Sequence, residues 1–202
     1  MNTSRLLIIF VKNPIPGKCK TRLAQTIGDL AATEVYKVLL RHTALITEPL
    51  DATIEVHYSG FVEEDDMFSE TFIKKVQSGN DLGEKMKNAF AKGFQQGFQH
   101  IVIIGSDLLD ITTKDINEAF EALETYDYVL GPAEDGGYYL LGMNKPNSAL
   151  FENKDWGSSS VLQNTLIDLK NEHIALLDER NDIDTYEDLA EFKDLKNYLL
   201  NN

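Results

Sequence analysis

Residues Leu6–Val11 read LLIIFV, and the chain continues NPIPGKCKTRL from Asn13 to Leu23 after a single Lys12. Six consecutive apolar residues closed by Lys12 and Pro14 form a short apolar run bounded by turn residues, which reads as a strand. Alternating with helical segments, runs of this kind make an α/β sandwich with a mostly parallel sheet the economical solution. The run is also far shorter than a membrane span or the apolar region of a secretory signal, which points to a soluble, cytoplasmic protein.

The letters GKCKT suggest a phosphate-binding P-loop, but that motif needs a glycine, four residues, and then Gly-Lys-Ser/Thr. Here Gly17-Lys18 is followed by Cys19, and Lys12 stands where the first glycine belongs, so the pattern fails twice. The positive charge itself still needs explaining. Met1 to Gly28 holds Arg5, Lys12, Lys18, Lys20 and Arg22 and no acidic residue, on a chain whose net charge is −14. The overall charge argues against a general nucleic-acid binder, since a phosphate backbone is held by surplus Lys and Arg. A local basic site on an acidic protein fits better, although solvated surface lysines would give the same letters.

At 202 residues and 43% hydrophobic composition, one domain spanning 1–202 with one substantial core is the simplest organisation. The lone Cys19 has no partner for an internal disulfide, and four scattered histidines do not suggest zinc. Strands are expected at Leu6–Val11, Thr53–Tyr58, Ile101–Gly105, Tyr128–Gly131, Tyr138–Met143 and Ile174–Leu177. Helices are expected at Thr33–Ile46, Leu82–Phe98, Lys114–Leu123, Val161–Leu169 and Tyr186–Leu199, with Thr113 and Thr185 as N-caps. In the second of these, Leu82, Met86, Phe90, Phe94 and Phe98 recur every four residues and read as a core-facing stripe. The alternation predicts a three-layer α/β/α sandwich around a mostly parallel sheet.

Ligands of such sheets bind beyond the carboxyl ends of the strands. Four segments therefore compete for chemistry: the basic stretch after LLIIFV, Gly105–Asp110 (GSDLLD), Gly131–Gly137 (GPAEDGG) and Asp182–Thr185 (DIDT). Lys and Arg at one strand end suit a diphosphate or triphosphate, and carboxylates beside them suit Mg²⁺ or Mn²⁺, a hard cation held by protein carboxylates, phosphate oxygens and water. Asp107 is the first metal candidate and Asp184 the second; a turn or helix-cap role would also account for either. Asp135-Gly136-Gly137 permits a close approach of ligand to backbone, and a hairpin turn would use the same letters. Gln77–Gly83 could offer a helix N-terminus to a base or phosphate, or be a loop capped by Asp81. A dehalogenase-type phosphatase is excluded because no acid follows the first strand before Asp29, and a dinucleotide-binding Rossmann domain because no Gly-x-Gly-x-x-Gly does.

Six segments in order, Phe10–Leu23, Gln77–Met86, Gly105–Thr112, Gly131–Gly142, Trp156–Leu166 and Asp182–Leu189, resemble the nucleotide-diphospho-sugar transferase superfamily with the glycosyltransferase-A fold. Within it, the chain is similar to bacterial glycosyltransferase-like proteins related to phospholactate guanylyltransferase. The resemblance implies a nucleotide along the first half of the sheet, with Lys12, Gly17, Lys18, Gln77, Gly83 and Ser106 about its phosphates and base. It further implies Lys20 and Arg22 as charge stabilisers, Asp107 and Asp184 on the metal, and Glu134, Gly136, Gly137 and Tyr138 in an acceptor pocket. Two departures stand out: Leu109 occupies a position where relatives carry proline, and Asp107 and Asp110 are separated by two residues where Asp-x-Asp is usual.

The leading expectation is Mg²⁺-dependent nucleotidyl transfer from an NTP to a small phosphorylated or carboxylated metabolite. The alternatives are glycosyl transfer from a nucleotide sugar, with Asp135 or Glu134 as base, and a degenerate nucleotide-binding module without turnover. The oligomeric state is not readable from these patterns.

Overall fold

The computed structural model describes residues 4–192. Seven strands form one sheet: β1 (Arg5–Val11), β2 (Thr53–Tyr58), β3 (Ile73–Val76), β4 (His100–Ile104), β5 (Tyr128–Pro132), β6 (Tyr138–Met143) and β7 (Ile174–Leu176), in the spatial order β3-β2-β1-β4-β6-β5-β7. All run the same way except β6, which is antiparallel to both β4 and β5. Helices α1 (Thr21–Ile27), α2 (Asp29–Thr47), α3 (Leu82–Gln95), α4 (Thr113–Ala122), α5 (Val161–Asp168) and α6 (Tyr186–Glu191) cover its two faces. The expected three-layer sandwich with a mostly parallel sheet is the observed fold.

The first strand shows why. Successive side chains of a strand point to opposite faces, so an unbroken apolar run demands a core on each. Leu7, Ile9 and Val11 enter one core with Val35, Tyr36 and Leu39 of α2 and Ile116 and Phe120 of α4. Leu6 and Ile8 enter the other with Met86 and Phe90 of α3. Tyr138 and Tyr139 divide likewise between the two cores, so neither takes the solvent side that strand alternation allows. Six strands end at one edge of the sheet, and β6 begins there, which brings all four polar segments of the sequence to the same side.

Several elements depart from expectation. Strand β3 was not expected: its sequence, IKKV, is a partly exposed edge strand with two lysines and so lacks a hydrophobic signal. Helix α1 lies inside the stretch read as a basic loop, so Arg22 sits on a helix. Leu82, first of the expected stripe, is 45% exposed at the mouth of α3, and the helix ends before Phe98. The last expected helix is seen as Tyr186–Glu191; its continuation to Leu199 lies outside the described residues. Among the described residues no helix is long and apolar enough to cross a membrane.

The cap of α4 is Thr112 and not Thr113. Thr112 accepts from Asp115 N–H while the Asp115 carboxylate accepts from Thr112 N–H, a reciprocal capping box; Thr113 instead donates to Ile46 O at 2.7 Å. Thr185 caps α6 as expected, with Asp188 in the same role. Thr112→Ala should therefore lower stability by about 1 kcal/mol in urea denaturation, the usual worth of such a cap; an unchanged midpoint would show that the box contributes nothing.

Candidate active site

The basic stretch leaves β1 and turns through two short hydrogen bonds, Ile15 N–H to Asn13 O and Lys18 N–H to Ile15 O. Asn13 anchors it by donating to Phe61 O and accepting from Gly60 N–H. Gly17 adopts φ +77°, and Gly17 and Lys18 stand exposed at the tip. At the foot of α1, Lys20 takes φ 48° and ψ 45°, a left-handed conformation that costs a residue with a side chain about 1–3 kcal/mol. That conformation drives the side chain inward. Its Nζ lies 3.0 Å from Asp107 Oδ2 and 2.9 Å from Asp184 Oδ1, with the side chain 3% exposed. Burial disfavours the ammonium, but the charges of Asp107 and Asp184 outweigh it and hold the Lys20 pKa above its ordinary value. Arg22 reaches the other oxygen of Asp184 at 3.1 Å from solvent. Burial would raise the Asp184 pKa, yet Lys20, Arg22 and Lys12 together hold it below the usual carboxylate range.

The structure thus brings Lys20, Arg22, Asp107 and Asp184 into one cluster, with Lys20 between the two carboxylates expected to bind metal. Ile183 N–H donates to Asp107 O at 3.1 Å, which fastens the DIDT segment to GSDLLD. Ser106 is a buried support: it donates to Phe10 O and accepts from the Tyr36 hydroxyl, which in turn accepts from Lys12 N–H. Burial raises the Tyr36 pKa, keeping that phenol neutral. Asp110 turns away. Its carboxylate and carbonyl both accept from Arg180, which also binds Asp115, so Asp107 and Asp110 do not converge.

Three linked hollows run along this edge of the sheet, and Leu82 lines each of them. The largest, about 390 Å³, lies over the ends of β1–β4 and is lined by Lys12, Tyr36, Gln77, Lys85, Ser106 and Asp107, among others. A cavity at the β5–β6 end, about 170 Å³, is lined by Asp135, Gly137, Tyr138, Trp156, Ser158 and Asp182, among others. Gln77 spends its amide N–H groups on His57 O and Val11 O, pinning strand ends together. Gly83 is packed against Trp156; a Cβ there would meet the indole Nε1 at 2.3 Å. Gly136, at φ +86°, is pressed against Ser159 O and forms the hairpin turn between β5 and β6, while Asp135 accepts from Gly137 N–H. Glu134 is exposed and its N–H donates to Arg180 O; it does not line the cavity as Asp135 does.

Two charged residues of the site escaped the sequence. Lys85 lies one turn into α3, where its letter is that of any surface lysine. Asp182 is the other. Its Oδ1 is buried with no hydrogen-bond partner, and its pKa is raised to about 7 by burial first and then by Asp107, Asp135 and Asp184, against the pull of Lys20. The repeated Asp in DIDT hinted at this, but spacing alone could not say which of the two faces the cation.

Residues 44–158 match the family described as an uncharacterized protein conserved in bacteria (DUF2064). The chain belongs to this family. A comparison of the DUF2064 chain with curated proteins gives no match. Among solved structures, it is similar to a protein from Desulfovibrio desulfuricans G20 provisionally named a nucleotide-diphospho-sugar transferase, at 32% identity over 93% of this chain and 85% of the other, with a TM-score of 0.87. CMP:2-keto-3-deoxy-manno-octonic acid synthetase complexed with CTP shares the fold at 10% identity and TM-score 0.57, covering 97% and 99% of the two chains. So does 4-diphosphocytidyl-2C-methyl-D-erythritol synthase from Anaerococcus prevotii DSM 20548, at 10% identity and TM-score 0.57 over 94% and 96%.

Because the native Asp182 holds its proton more tightly than an unfolded aspartate, the folded state binds more protons between the unfolded value of about 4 and the native value of about 7. The stability linked to this group is full below that window and is lost as pH rises through it. Asp182→Asn should match the parent near pH 4 and exceed it at pH 8 by about 2 kcal/mol, given about 1.4 kcal/mol per pKa unit and partial solvent screening. Urea melts at the two pH values check this, and equal differences at both would count against the assigned shift.

Proposed function

We propose that this protein is a nucleotide-dependent transferase, acting by nucleotidyl transfer from an NTP to an oxygen of a small acceptor. The observation that carries this is the polarity of the strand-end cleft. Cations Lys12 and Lys85 line the larger hollow and Lys20 and Arg22 lie at the carboxylate cluster, whereas the cavity at the β5–β6 end carries carboxylates. A triphosphate belongs on the first side and an acceptor on the second. The volume of the larger hollow is within the range of small-molecule sites. The similarity to nucleotide-handling enzymes of the same fold agrees with it.

In this reading the acceptor oxygen attacks the α-phosphorus, a hydroxyl acceptor giving its proton to water in the open cleft, the bond from that phosphorus to its bridging oxygen breaks, and pyrophosphate leaves with the electron pair. Lys20 and Arg22 neutralise the charge that builds on the leaving group, and no protein nucleophile is required. For Lys20 to do so, its ammonium exchanges carboxylate for phosphate contacts, one anionic partner for another. Asp107 and Asp184, brought together on Lys20, are hard oxygen donors of the kind Mg²⁺ takes. Among the described residues no group of three His, Cys, Asp or Glu side chains could hold a metal by itself, so phosphate and water would complete the shell. When bound, the ion would supply charge stabilisation on the phosphates.

Thermal shift with the four NTPs and common nucleotide sugars, with and without Mg²⁺, is the direct test, because binding to the native state raises the melting temperature by mass action. An Mg²⁺-dependent shift with an NTP, followed by pyrophosphate release with acceptor, is the expected result. Lys20→Met should lower kcat by about 10²–10³-fold, as loss of a transition-state charge contact does, with Arg22→Ala reducing it less. Release of a nucleoside diphosphate from a nucleotide sugar would instead establish glycosyl transfer with Asp135 as the base. Nucleotide binding with no turnover would leave a binding module.

A further inference from the structure

Asp107 and Asp184 meet through a third group. Lys20 Nζ stands 3.0 Å from Asp107 Oδ2 and 2.9 Å from Asp184 Oδ1, and Arg22 takes the remaining oxygen of Asp184 at 3.1 Å. Two cations thus balance two anions in this cluster. Asp110, which could add a further oxygen donor, is held by Arg180 at 3.0 Å. The Lys20 ammonium lies over the Tyr36 ring, 5.8 Å from its centroid. Tyr36 and Asp107 both line the 390 Å³ hollow, so the ammonium borders the place assigned to the nucleotide.

Mg²⁺ binds oxygen at about 2.0–2.1 Å, so an ion on Asp184 Oδ1 would lie within about 5 Å of Nζ. Like charges that close in a partly desolvated place repel strongly, and both oxygens of Asp184 already face a cation. A divalent ion added to a balanced cluster leaves its charge uncompensated. Phosphates change that balance: they offer the ammonium another anionic partner and free a carboxylate oxygen. The backbone of Lys20 is suited to such a move. Its left-handed conformation is one that persists only where the surroundings enforce it, and the two ion pairs are part of that constraint. Resting on the assignment of Asp107 and Asp184 to the metal, we propose that Lys20 is a gate on that position. Its ammonium holds the place of the divalent ion until the phosphates of the bound substrate draw it away, so the cluster takes no ion by itself and takes one together with substrate. Such coupling is reciprocal, and the ion strengthens substrate binding by the same factor.

Mn²⁺ binding to the full-length protein, without nucleotide, is followed by the electron paramagnetic resonance of the free ion. The chain carries 33 Asp and Glu, so the signal that counts is the part lost on Asp107→Asn. The parent should show no such part. Lys20→Met, similar in length and uncharged, should gain one and bind Mn²⁺ there at least about tenfold more tightly than the parent. Lys20→Arg, which keeps the charge, should behave as the parent, and Lys20→Met/Asp107→Asn should lose the gain. Lys20→Gln, whose amide N–H still donates to a carboxylate, replaces Lys20→Met if that variant does not fold. Mn²⁺ taken up by the parent alone and lost on Asp107→Asn would overturn the proposal, as would a folded, uncharged variant that binds no more Mn²⁺ than the parent. Calorimetric titration of the parent with the four NTPs and Mn²⁺ separates the two assignments. NTP binding by a parent whose cluster also takes Mn²⁺ alone sinks the gate alone, whereas the expected Mn²⁺ behaviour without NTP binding sinks the transferase assignment alone.

Discussion

The buried ammonium of Lys20, shared between Asp107 and Asp184, is the contact on which the rest of the site depends. It joins three loops that are remote in sequence: the one after β1, the one after β4 and the one before α6. A lysine so buried is tolerable only because two carboxylates meet it, and taking one partner from such a cluster typically costs about 3–5 kcal/mol. The left-handed backbone at Lys20 is part of the same arrangement, since it turns the side chain from solvent into the cluster. Pairing of this kind also holds the two carboxylates close together.

Around that cluster the fold sorts charge by position. A mostly parallel sheet delivers its loops to one edge, and the reversed strand β6 makes its hairpin with β5 there as well. The cations of the cleft are Lys12 just after β1, Lys20 and Arg22 at the start of α1, and Lys85 in α3. Asp135 and Asp182, from the hairpin and the DIDT segment, line the cavity at the β5–β6 end. Leu82, at the open end of α3, borders both hollows.

Much of this was legible beforehand because the responsible signals are local. LLIIFV announces a strand with a core on each face, and the four-residue spacing of Met86 and Phe90 announces the helix that covers one of them. The capping pattern of Thr185 and Asp188 follows from side chains three residues apart. Where signals were weak, the elements were missed or shifted. The edge strand β3 keeps lysines and partial exposure, so it has no apolar period. Helix α1 is a seven-residue segment whose opening is set by the αL turn at Lys20, which no residue type announces. Thr112 and Thr113 are equivalent letters, and only the geometry of Asp115 chooses between them.

Sequence by itself determined the layering, the sheet direction and which loops crowd the functional edge, because burial on two faces and helical spacing are properties of neighbouring residues. Tertiary structure alone decided the partners. That Lys20 binds Asp107 and Asp184 across 87 and 164 positions, that Asp110 is drawn off to Arg180, and that Asp182 keeps a buried oxygen without a donor depend on how loops meet beyond the strand ends. Charge interactions act through space and fall off over a few ångströms, so a residue's electrostatic role is set by the fold that brings its neighbours and not by its own letter.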